Sequence, residues 1–273
     1  MTATASQKAR VLIIAGSDSG GGAGIQADLK TVTALGGFAM TAVTALTAQN
    51  TQGVFDVMGV EPAFIAQQMR LVLDDIGADA LKTGMLHNAS VIEMVADTIA
   101  DTAPAVPLVV DPVMFAKGGH SLLEDTAMTA LKQRMLPMAA VLTPNIPEAE
   151  ALCGASIGDV DAMADAARDI AALGPSAVLV KGGHLPGDQV TDVLFRDGVV
   201  ETFSDTRIDT VHTHGTGCTL ASAIATGLAQ GMALSEAVRR ARAYVRVAIA
   251  TAPGLGSGHG PLNHGHTVAP FDG

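Results

Sequence analysis

Residues 214–218, with the sequence HGTGC, combine glycines with a thiol in a pattern suited to chemistry. They open an apolar-periodic run with Leu220, Ile224 and Leu228 at i, i+4 and i+8, which predicts a helix. Glycines in a first helical turn leave backbone N–H groups uncovered, and these donors together with the helix dipole favour an anion. A thiolate is also favoured at a helix N-terminus, so Cys218 is a candidate proton acceptor. A glycine-rich turn around a small buried cysteine is an equally good interpretation of these residues alone.

Charge and composition exclude several classes of partner. The chain has 273 residues, and its 27 acidic residues outnumber its 16 basic residues, for a net charge of -11. This charge argues against nucleic-acid binding and provides no basic arm for an anionic membrane. The chain has two cysteines, no apolar leader ahead of Val11 and no apolar span of about twenty residues. We therefore expect a soluble, reduced, cytoplasmic protein with small-molecule partners.

Short apolar runs alternate with longer segments of helical period, which predicts a mostly parallel sheet with helices on both faces. Predicted strands cover residues 11–15, 39–46, 108–111, 140–143 and 177–181. Predicted helices start near Ile25 and end at Gly36, start at Pro62, and start at a capping box of Ser90 and Glu93. Polar or glycine residues follow the later strands at once, so the carboxyl ends of these strands are expected to form the rim of a site.

One segment breaks the alternation. Residues 190–195 and 199–203 flank Asp197-Gly198, which predicts a small antiparallel hairpin at the sheet edge. Because no repeat, charge run or Ser/Pro-rich linker marks a boundary, we expect one domain over residues 1–273. Residues 1–10 and about 254–273 are expected to be flexible or peripheral. His264 and His266 favour a solvated tail over a metal site, since no cysteine or carboxylate accompanies them.

A glycine cluster at residues 16–24 lies between the first predicted strand and helix, where a nucleotide-binding loop is often found. The cluster lacks Gly-Lys-Ser/Thr, so it is not a P-loop, and no acidic residue closes a second strand as a dinucleotide fingerprint requires. A dinucleotide site is the weaker interpretation. The loop instead permits close approach of a small ligand to the backbone, with Asp18 or Asp28 offering a carboxylate.

Seven motifs in this order resemble the hydroxymethylpyrimidine/phosphomethylpyrimidine kinases of thiamine biosynthesis, in the ribokinase-like superfamily. They are AGSD and GAGIQADLK at residues 15–30, TALTAQNT at 44–51, KTGML at 82–86, DPVM at 111–114, TPNIPE at 143–148, KGGH at 181–184 and THGTGC at 213–218. Many ribokinase-like enzymes carry an aspartate where Cys218 stands, and a cysteine at that position is similar to the pyrimidine kinases. Pyridoxal kinase activity is the nearest rival.

The resemblance implies a pyrimidine pocket. Its wall would consist of Gln49, Gly16, Ala23, Asp28, Met85 and Val113. The amide of Gln49 both donates and accepts, which matches a ring nitrogen beside an exocyclic amine. Met85 offers an adaptable apolar face to the ring. Core packing is the plain alternative for most of this wall, and a solvated carboxylate is the plain alternative for Asp28.

The resemblance also implies sites for Mg²⁺ and ATP. Asp111, Asn145 and Glu148 would hold Mg²⁺ through oxygen ligands and water, although the local sequence of Asn145 and Glu148 alone favours a helix cap. Four residues would meet the ATP phosphates: Lys181, Gly182, Gly183 and, in a mobile flap with two further glycines, Lys117. The amides of Gly215, Thr216, Gly217 and Cys218 would stabilise the moving phosphoryl group, and Cys218 would accept the hydroxyl proton.

These observations lead to one expectation and two alternatives. The chain is expected to be a single-domain ribokinase-like α/β kinase that phosphorylates 4-amino-5-hydroxymethyl-2-methylpyrimidine and then its monophosphate, with ATP and Mg²⁺, as a homodimer. A dinucleotide-dependent oxidoreductase that uses residues 20–24 is the first alternative. A catalytically silent sensor that binds the pyrimidine without turnover is the second.

Overall fold

A nine-stranded sheet forms the centre of the molecule. The computed structural model describes residues 9–114, 125–269 and 271. The strands are β1 (Arg10–Asp18), β2 (Phe38–Asn50), β3 (Gly53–Gly59), β4 (Ala80–Thr83), β5 (Leu108–Val110), β6 (Val141–Leu142), β7 (Ala177–Val180), β8 (Gln189–Arg196) and β9 (Val199–Thr206). Their order in the sheet is β3-β2-β1-β4-β5-β6-β7-β8-β9.

Eight α-helices connect these strands within the described residues. They are α1 (Gly24–Ala34), α2 (Pro62–Asp75), α3 (Ala89–Thr102), α4 (Asp125–Ala130), α5 (Ile146–Cys153), α6 (Val160–Ala171), α7 (Thr216–Ala229) and α8 (Leu234–Ala250). A π-helical turn (Leu131–Met135) and a 3-10 turn (Leu136–Met138) follow α4, and a second 3-10 turn (Gly182–His184) follows β7. The helices predicted to end near Gly36 and to start at Pro62 are confirmed.

Both faces of the sheet are covered, as predicted. Successive side chains of β1 alternate between two apolar clusters: Leu12 and Ile14 join the first, and Val11 and Ile13 join the second. The first cluster also contains residues of α2 to α6, and the second contains residues of α1, α7 and α8. Apolar side chains on both sides of a strand are typical of a parallel sheet between two helical layers.

The mostly parallel sheet and its edge hairpin are confirmed. β1, β2, β4, β5, β6 and β7 pair in parallel, and β8 and β9 pair antiparallel around a turn in which Asp197 and Gly198 have φ of 51° and 78°. A second antiparallel edge, β2–β3, is absent from the sequence-based prediction. No residue of β3 is buried. Because neither face of the strand packs on the core, its sequence lacks the alternation of apolar and polar residues that would indicate a strand.

Two local predictions were wrong. The N-cap of α3 is Asn88, whose side chain accepts a hydrogen bond from the Val91 N–H at 3.0 Å, so Ser90 and Glu93 do not form the predicted capping box. His264 is buried rather than solvated. Its Nε2 lies 2.9 Å from Thr219 Oγ1, and its carbonyl accepts from the Tyr244 hydroxyl at 2.7 Å, so this part of the tail packs on α7 and α8. In the described part of the chain, no helix combines the length and apolar character needed to cross a membrane.

The cap of α3 generates a stability prediction. Replacement of Asn88 by alanine removes the acceptor for the Val91 N–H, and we expect the free energy of unfolding to fall by about 1 kcal/mol. The matched change Ser90→Ala should cost less than about 0.5 kcal/mol, because the Ser90 hydroxyl only donates to Asn88 Oδ1. Urea denaturation of both variants measures this difference, and a larger loss for Ser90→Ala would restore Ser90 as the cap.

Candidate active site

A cavity of about 750 Å³ lies at the carboxyl ends of the parallel strands. Most residues that the sequence analysis selected from seven separate motifs line this one cavity. They are Gly16, Ala23, Gln49, Met85, Asp111, Val113, Asn145, Glu148, Lys181, Gly183, Gly215, Thr216, Gly217 and Cys218. Asp28 and Gly182 are absent from its wall, and Lys117 lies outside the described residues.

The first turn of α7 presents free backbone donors to this cavity. Gly215 has φ of 84°, and a Cβ at this position would lie 1.8 Å from the Gly22 carbonyl oxygen, so the turn requires glycine. The N–H groups of Gly217 and Cys218 donate to no acceptor within the described residues. A Cβ on Gly217 would lie 3.2 Å from Lys181 Nζ, so the open face of the turn faces that ammonium group. This arrangement suits a bound anion.

Cys218 differs from the expectation of a stabilised thiolate. Burial, with a smaller contribution from the Asp28 and Asp111 carboxylates, raises the pKa of the Cys218 thiol to about 11. The Lys82 ammonium group and a hydrogen bond from the Gly24 N–H act in the opposite direction and do not compensate. The prediction of a low pKa was therefore wrong, because lost hydration outweighs the favourable charges at the helix end.

Asp28 is buried beneath the cavity and does not form part of its wall. Its two carboxylate oxygens accept hydrogen bonds from Lys82 Nζ at 3.0 and 2.8 Å, and Ser222 Oγ donates to Oδ1 at 2.7 Å. The side chains of Lys82 and Asp28 are both 0% exposed. Both interpretations of Asp28, as a ligand contact and as a solvated carboxylate, were wrong. Although burial lowers the pKa of Lys82, the nearby carboxylates raise it above its ordinary value, so Lys82 stays charged.

A second lysine lies between two carboxylates on the opposite wall. Lys181 Nζ donates to Asp111 Oδ1 at 2.9 Å and lies 4.0 Å from Glu148 Oε2. Burial raises the pKa of Glu148 to about 7, against the opposing effect of Lys181. Thr143 Oγ1 donates to the same Asp111 oxygen at 3.2 Å. The carboxyl ends of β5, β6 and β7 thus bring one cation and two acids together.

Asn145 and Glu148 form the helix cap that their local sequence favours. Asn145 Oδ1 accepts from the Glu148 N–H at 2.9 Å, and Glu148 Oε2 accepts from the Asn145 N–H at 2.8 Å. The cap places the Glu148 carboxylate beside Asp111 and Lys181. Among the described residues there is no cluster of three His, Cys, Asp or Glu side chains that would hold a metal ion by itself.

Gln49 lies at the end of the cavity formed by β1 and β2. Gln49 Oε1 lies 3.0 Å from Thr47 Oγ1, and Gln49 Nε2 lies 3.4 Å from His214 Nε2. His214 Nε2 is also 2.8 Å from Asp18 Oδ2. The sequence alone does not reveal this pair, although Asp18 ends a strand and His214 begins the HGTGC motif.

The Asp18 carboxylate organises the loop that follows β1. It accepts hydrogen bonds from the N–H groups of Gly20, Gly22 and Ala23 at 2.7, 3.1 and 2.8 Å. Burial raises its pKa, but the hydrogen bonds from His214 and the backbone outweigh burial and hold the pKa below its ordinary value. Asp18 is therefore ionised at neutral pH and keeps the loop against His214.

Two glycines of the predicted site have different roles. A Cβ on Gly16 would lie 2.6 Å from Met85 Cε, so this glycine makes room for the methionine that lines the cavity. A Cβ on Gly182 would lie 1.9 Å from the Thr191 carbonyl oxygen, and Gly182 is buried against β8. The prediction that Gly182 admits a nucleotide was wrong, because its small size serves the packing of the sheet edge. Gly183 does face the cavity.

Comparisons with known proteins agree on one family. The sequence model of a family described as phosphomethylpyrimidine kinase matches residues 18–263. A thiamine biosynthesis bifunctional protein of Geobacter sulfurreducens is 53% identical over 254 residues, which cover 93% of this chain and 52% of that protein. The chain thus spans about half of this bifunctional relative.

Two further comparisons cover nearly the whole of each relative. A hydroxymethylpyrimidine/phosphomethylpyrimidine kinase of Bacillus subtilis is 47% identical over 93% of this chain and 94% of its own length. The crystal structure of an ADP complex of Bacillus subtilis pyridoxal kinase superposes with a TM-score of 0.87 and 37% identity, and it covers 94% of this chain and 98% of that one.

The buried ion pair generates a second stability prediction. Replacement of Lys82 by methionine leaves the Asp28 carboxylate buried without a cation, and we expect the free energy of unfolding to fall by about 3–5 kcal/mol. Addition of Asp28→Leu to this variant should recover most of the loss, because no unpaired charge then remains. The exposed pair of Arg70 and Asp101 provides the control, since Arg70→Met should cost at most about 1 kcal/mol. Urea denaturation measures the free energy of unfolding of all three variants. Equal losses for Arg70→Met and Lys82→Met would contradict the prediction.

Proposed function

The chain belongs to the phosphomethylpyrimidine kinase family, and from this premise we propose that it uses ATP to phosphorylate 4-amino-5-hydroxymethyl-2-methylpyrimidine and then its monophosphate. The two reactions yield the pyrimidine diphosphate for thiamine biosynthesis. One observation carries the proposal: the uncovered N–H groups of α7 face Lys181 and Asp111 in the same cavity that contains Gln49. The cavity therefore offers one end suited to phosphoryl groups and another suited to a polar ring.

At the phosphoryl end, Lys181 and the first turn of α7 would stabilise the transferred group. Phosphoryl transfer depends mainly on positioning and on stabilisation of charge. The N–H groups of Gly217 and Cys218 are preorganised donors, because Gly215 fixes the turn before any ligand binds. ATP would place its phosphates between this turn and Lys181, with Gly183 beside them. The pyridoxal kinase of Bacillus subtilis, which binds ADP, supports the assignment of a nucleotide to this fold.

Mg²⁺ fits the same end of the cavity. Asp111 and Glu148 offer carboxylate oxygens, and the missing side chain of Gly217 leaves space 3.5 Å from Asp111 Oδ2. Mg²⁺ prefers one or two carboxylates together with water and substrate phosphates, and it would neutralise phosphate charge there. Asn145 would contribute through the cap that positions Glu148, since its amide oxygen already accepts from the backbone.

At the other end, Gln49 would recognise the pyrimidine. The Asp18 carboxylate accepts the Nε2–H of His214, so this nitrogen does not accept from the Gln49 amide nitrogen at 3.4 Å. The N–H groups of the Gln49 amide are then available to a ring nitrogen. Met85 and Val113 would contact the faces of the ring, and Ala23 and Gly16 would leave space for it.

Pyridoxal is a second candidate substrate. It is favoured by the fold comparison, since the pyridoxal kinase of Bacillus subtilis superposes over 94% of this chain. Pyridoxal also presents a hydroxymethyl group on a nitrogen ring. The identity of 47% to a pyrimidine kinase, against 37% to this pyridoxal kinase, supports the pyrimidine as the main substrate.

The oligomeric state and the compartment stay predictions. A homodimer is supported by Phe55 and Met58, which are 69% and 63% exposed on the edge strand β3. Large apolar side chains on an exposed edge favour association with another copy. The cytoplasm remains the predicted location, and the single domain over residues 1–273 remains a prediction.

A coupled assay of ADP release tests the proposed function. The purified chain is given ATP, Mg²⁺ and one of three acceptors: the pyrimidine alcohol, its monophosphate or pyridoxal. We expect turnover with the first two at higher kcat/KM than with pyridoxal. Turnover with pyridoxal alone would replace the proposal by its second candidate, and binding of the pyrimidine without turnover would indicate a sensor.

Gln49 provides a test of the pyrimidine end. Replacement of Gln49 by leucine keeps a similar size and removes both hydrogen-bonding groups, so affinity for the pyrimidine alcohol should fall by about 1–3 kcal/mol. The affinity for ATP should not change. Gln67→Leu on the exposed face of α2 is the control for the substitution itself. Titration of the folded variants measures both affinities, and unchanged binding of the pyrimidine to Gln49→Leu would remove Gln49 from the site.

Cys218 provides a test of proton transfer. An alcohol loses its proton as it attacks, whereas a phosphate monoester with a second pKa of about 6 is already ionised at neutral pH. Cys218→Ala should therefore slow phosphorylation of the alcohol by about 10²-fold and slow that of the monophosphate much less. Cys153→Ala, which alters the other free cysteine, is the control.

The pKa of about 11 adds a pH dependence to this test. Below that pKa the thiolate fraction rises about tenfold with each pH unit, so the wild-type rate with the alcohol should rise between pH 7 and 9. This rise should be lost in Cys218→Ala. Single-turnover rates measure it. Equal losses for both acceptors, or the same pH slope in both proteins, would show that Cys218 shapes the site and does not accept the proton.

A further inference from the structure

Two arginines line the nucleotide end of the cavity but direct their hydrogen bonds to the protein. Arg207 and Arg242 both contribute to the cavity wall. Arginines in such a cavity are usually assigned as phosphate ligands, because the guanidinium group matches two phosphate oxygens. The contacts of these two side chains indicate another role.

Arg207 holds three carbonyl groups of one turn. Its Nε donates to the Gly187 carbonyl at 2.8 Å, Nη1 donates to the Gly183 carbonyl at 3.0 Å, and Nη2 donates to the Leu185 carbonyl at 2.5 Å. Its backbone N–H donates to the Asp188 carbonyl at 2.8 Å. All three nitrogens of the guanidinium group are thus directed into the turn that follows Lys181.

Arg242 supports the start of the same turn from α8. It pairs with the Asp192 carboxylate, and its Nη2 donates to Asp205 Oδ2 at 2.8 Å. Asp192 Oδ1 accepts from the Gly182 N–H at 2.8 Å. The side chains of Arg242 and Asp192 are 9% and 8% exposed, so water does not replace these contacts. The pair therefore connects α8 to the backbone next to Lys181.

We propose that Arg207 and Arg242 are positioning residues that fix the turn at residues 182–187 and do not bind the nucleotide phosphates. This inference rests on the proposed function, which places ATP beside Lys181 and Gly183. Three carbonyl oxygens that converge on one cation repel each other when the cation is removed, and they also repel a phosphate. Without Arg207 the turn would open, and Gly183 would leave its place in the cavity wall.

Substitution of Arg207 by lysine or by glutamine distinguishes a role in fixing the turn from a role in phosphate binding. Lysine keeps the charge but lacks the planar group that reaches three carbonyls. We expect Arg207→Lys and Arg207→Gln to weaken ADP binding equally, by about tenfold in Kd, which is the effect of losing roughly one charged hydrogen bond. Hydrogen exchange of the amides at 183–188 should be faster in both variants. The KM for the pyrimidine alcohol should stay within about twofold.

A phosphate ligand would behave differently in the same experiment. Arg207→Lys, which keeps the charge, would then bind ADP more tightly than Arg207→Gln, and exchange at 183–188 would be unchanged. That result would overturn the proposal, and so would wild-type ADP binding in both variants. Calorimetry with ADP does not require turnover, so a chain that fails to phosphorylate the pyrimidine contradicts the proposed function without deciding the role of Arg207.

Arg242 gives a second, independent variant. Arg242→Gln leaves Asp192 without its cation, and we expect weaker ADP binding by about tenfold with faster exchange at Gly182 and Gly183. Arg239→Gln removes the same charge from α8 at an exposed position paired with Glu201, and it should change neither quantity. Thermal unfolding shows whether Arg242→Gln is folded. If it is not, the proposal is tested by the two Arg207 variants alone. Equal ADP affinities for Arg242→Gln and Arg239→Gln would overturn the role of Arg242.

Discussion

The buried ammonium group of Lys82 fixes three elements around the cavity relative to one another. A charge removed from water is costly by several kcal/mol unless a partner of opposite charge and further hydrogen bonds surround it. Lys82 extends from β4, its carboxylate partner Asp28 belongs to α1, and Ser222 on α7 donates to that carboxylate. These three elements therefore cannot shift independently. The first turn of α7 keeps its position above the strand ends because the same helix carries Ser222 one and a half turns later.

Close backbone contact between the loop after β1 and the start of α7 adds a second constraint on the position of α7. The loop after β1 touches the start of α7 at Gly215, where a side chain would overlap the Gly22 carbonyl. Asp18 then joins the two segments through His214, whose imidazole is 2.8 Å from its carboxylate. Gln49 lies next to that imidazole, so the residues proposed for the ring and those proposed for the phosphoryl group share one wall. A substrate bound by Gln49 would present its hydroxymethyl group toward α7 for this reason.

The sequence predicts those parts of the site that depend on local order. Asp111 and Lys181 follow apolar strands, and parallel strands place their carboxyl ends at one edge, so their proximity was predictable. The buried position of Asp28 was not predictable, because its partner Lys82 is 54 residues away and the sequence alone favours a solvated or ligand-binding carboxylate. The pKa of Cys218 depends on burial by the whole fold, and β3 is defined only by pairing with β2. Apart from the start of α3, these failures thus concern contacts between distant segments, whereas the strand positions, the Asp197-Gly198 turn and the starts of α1 and α2 follow from short patterns.

Three of the five lysines and arginines that line the described part of the cavity are paired with carboxylates, whereas Arg207 and Arg246 donate to backbone carbonyl groups. Lys82 is neutralised by Asp28, and Lys181 lies between Asp111 and Glu148, so these five groups together add no positive charge. Arg242 is likewise paired with Asp192 and Asp205. Under the proposed function, the backbone dipoles at α7 and a cation that arrives with the nucleotide would then add to the attraction for phosphate. Burial raises the pKa of Glu148 to about 7, and the Mg²⁺ proposed for this site would be held by Asp111 and Glu148 and would favour the ionised form of that carboxyl group. In a chain with a net charge of -11, such pairing would, under the proposed function, favour a nucleotide that carries its own cation.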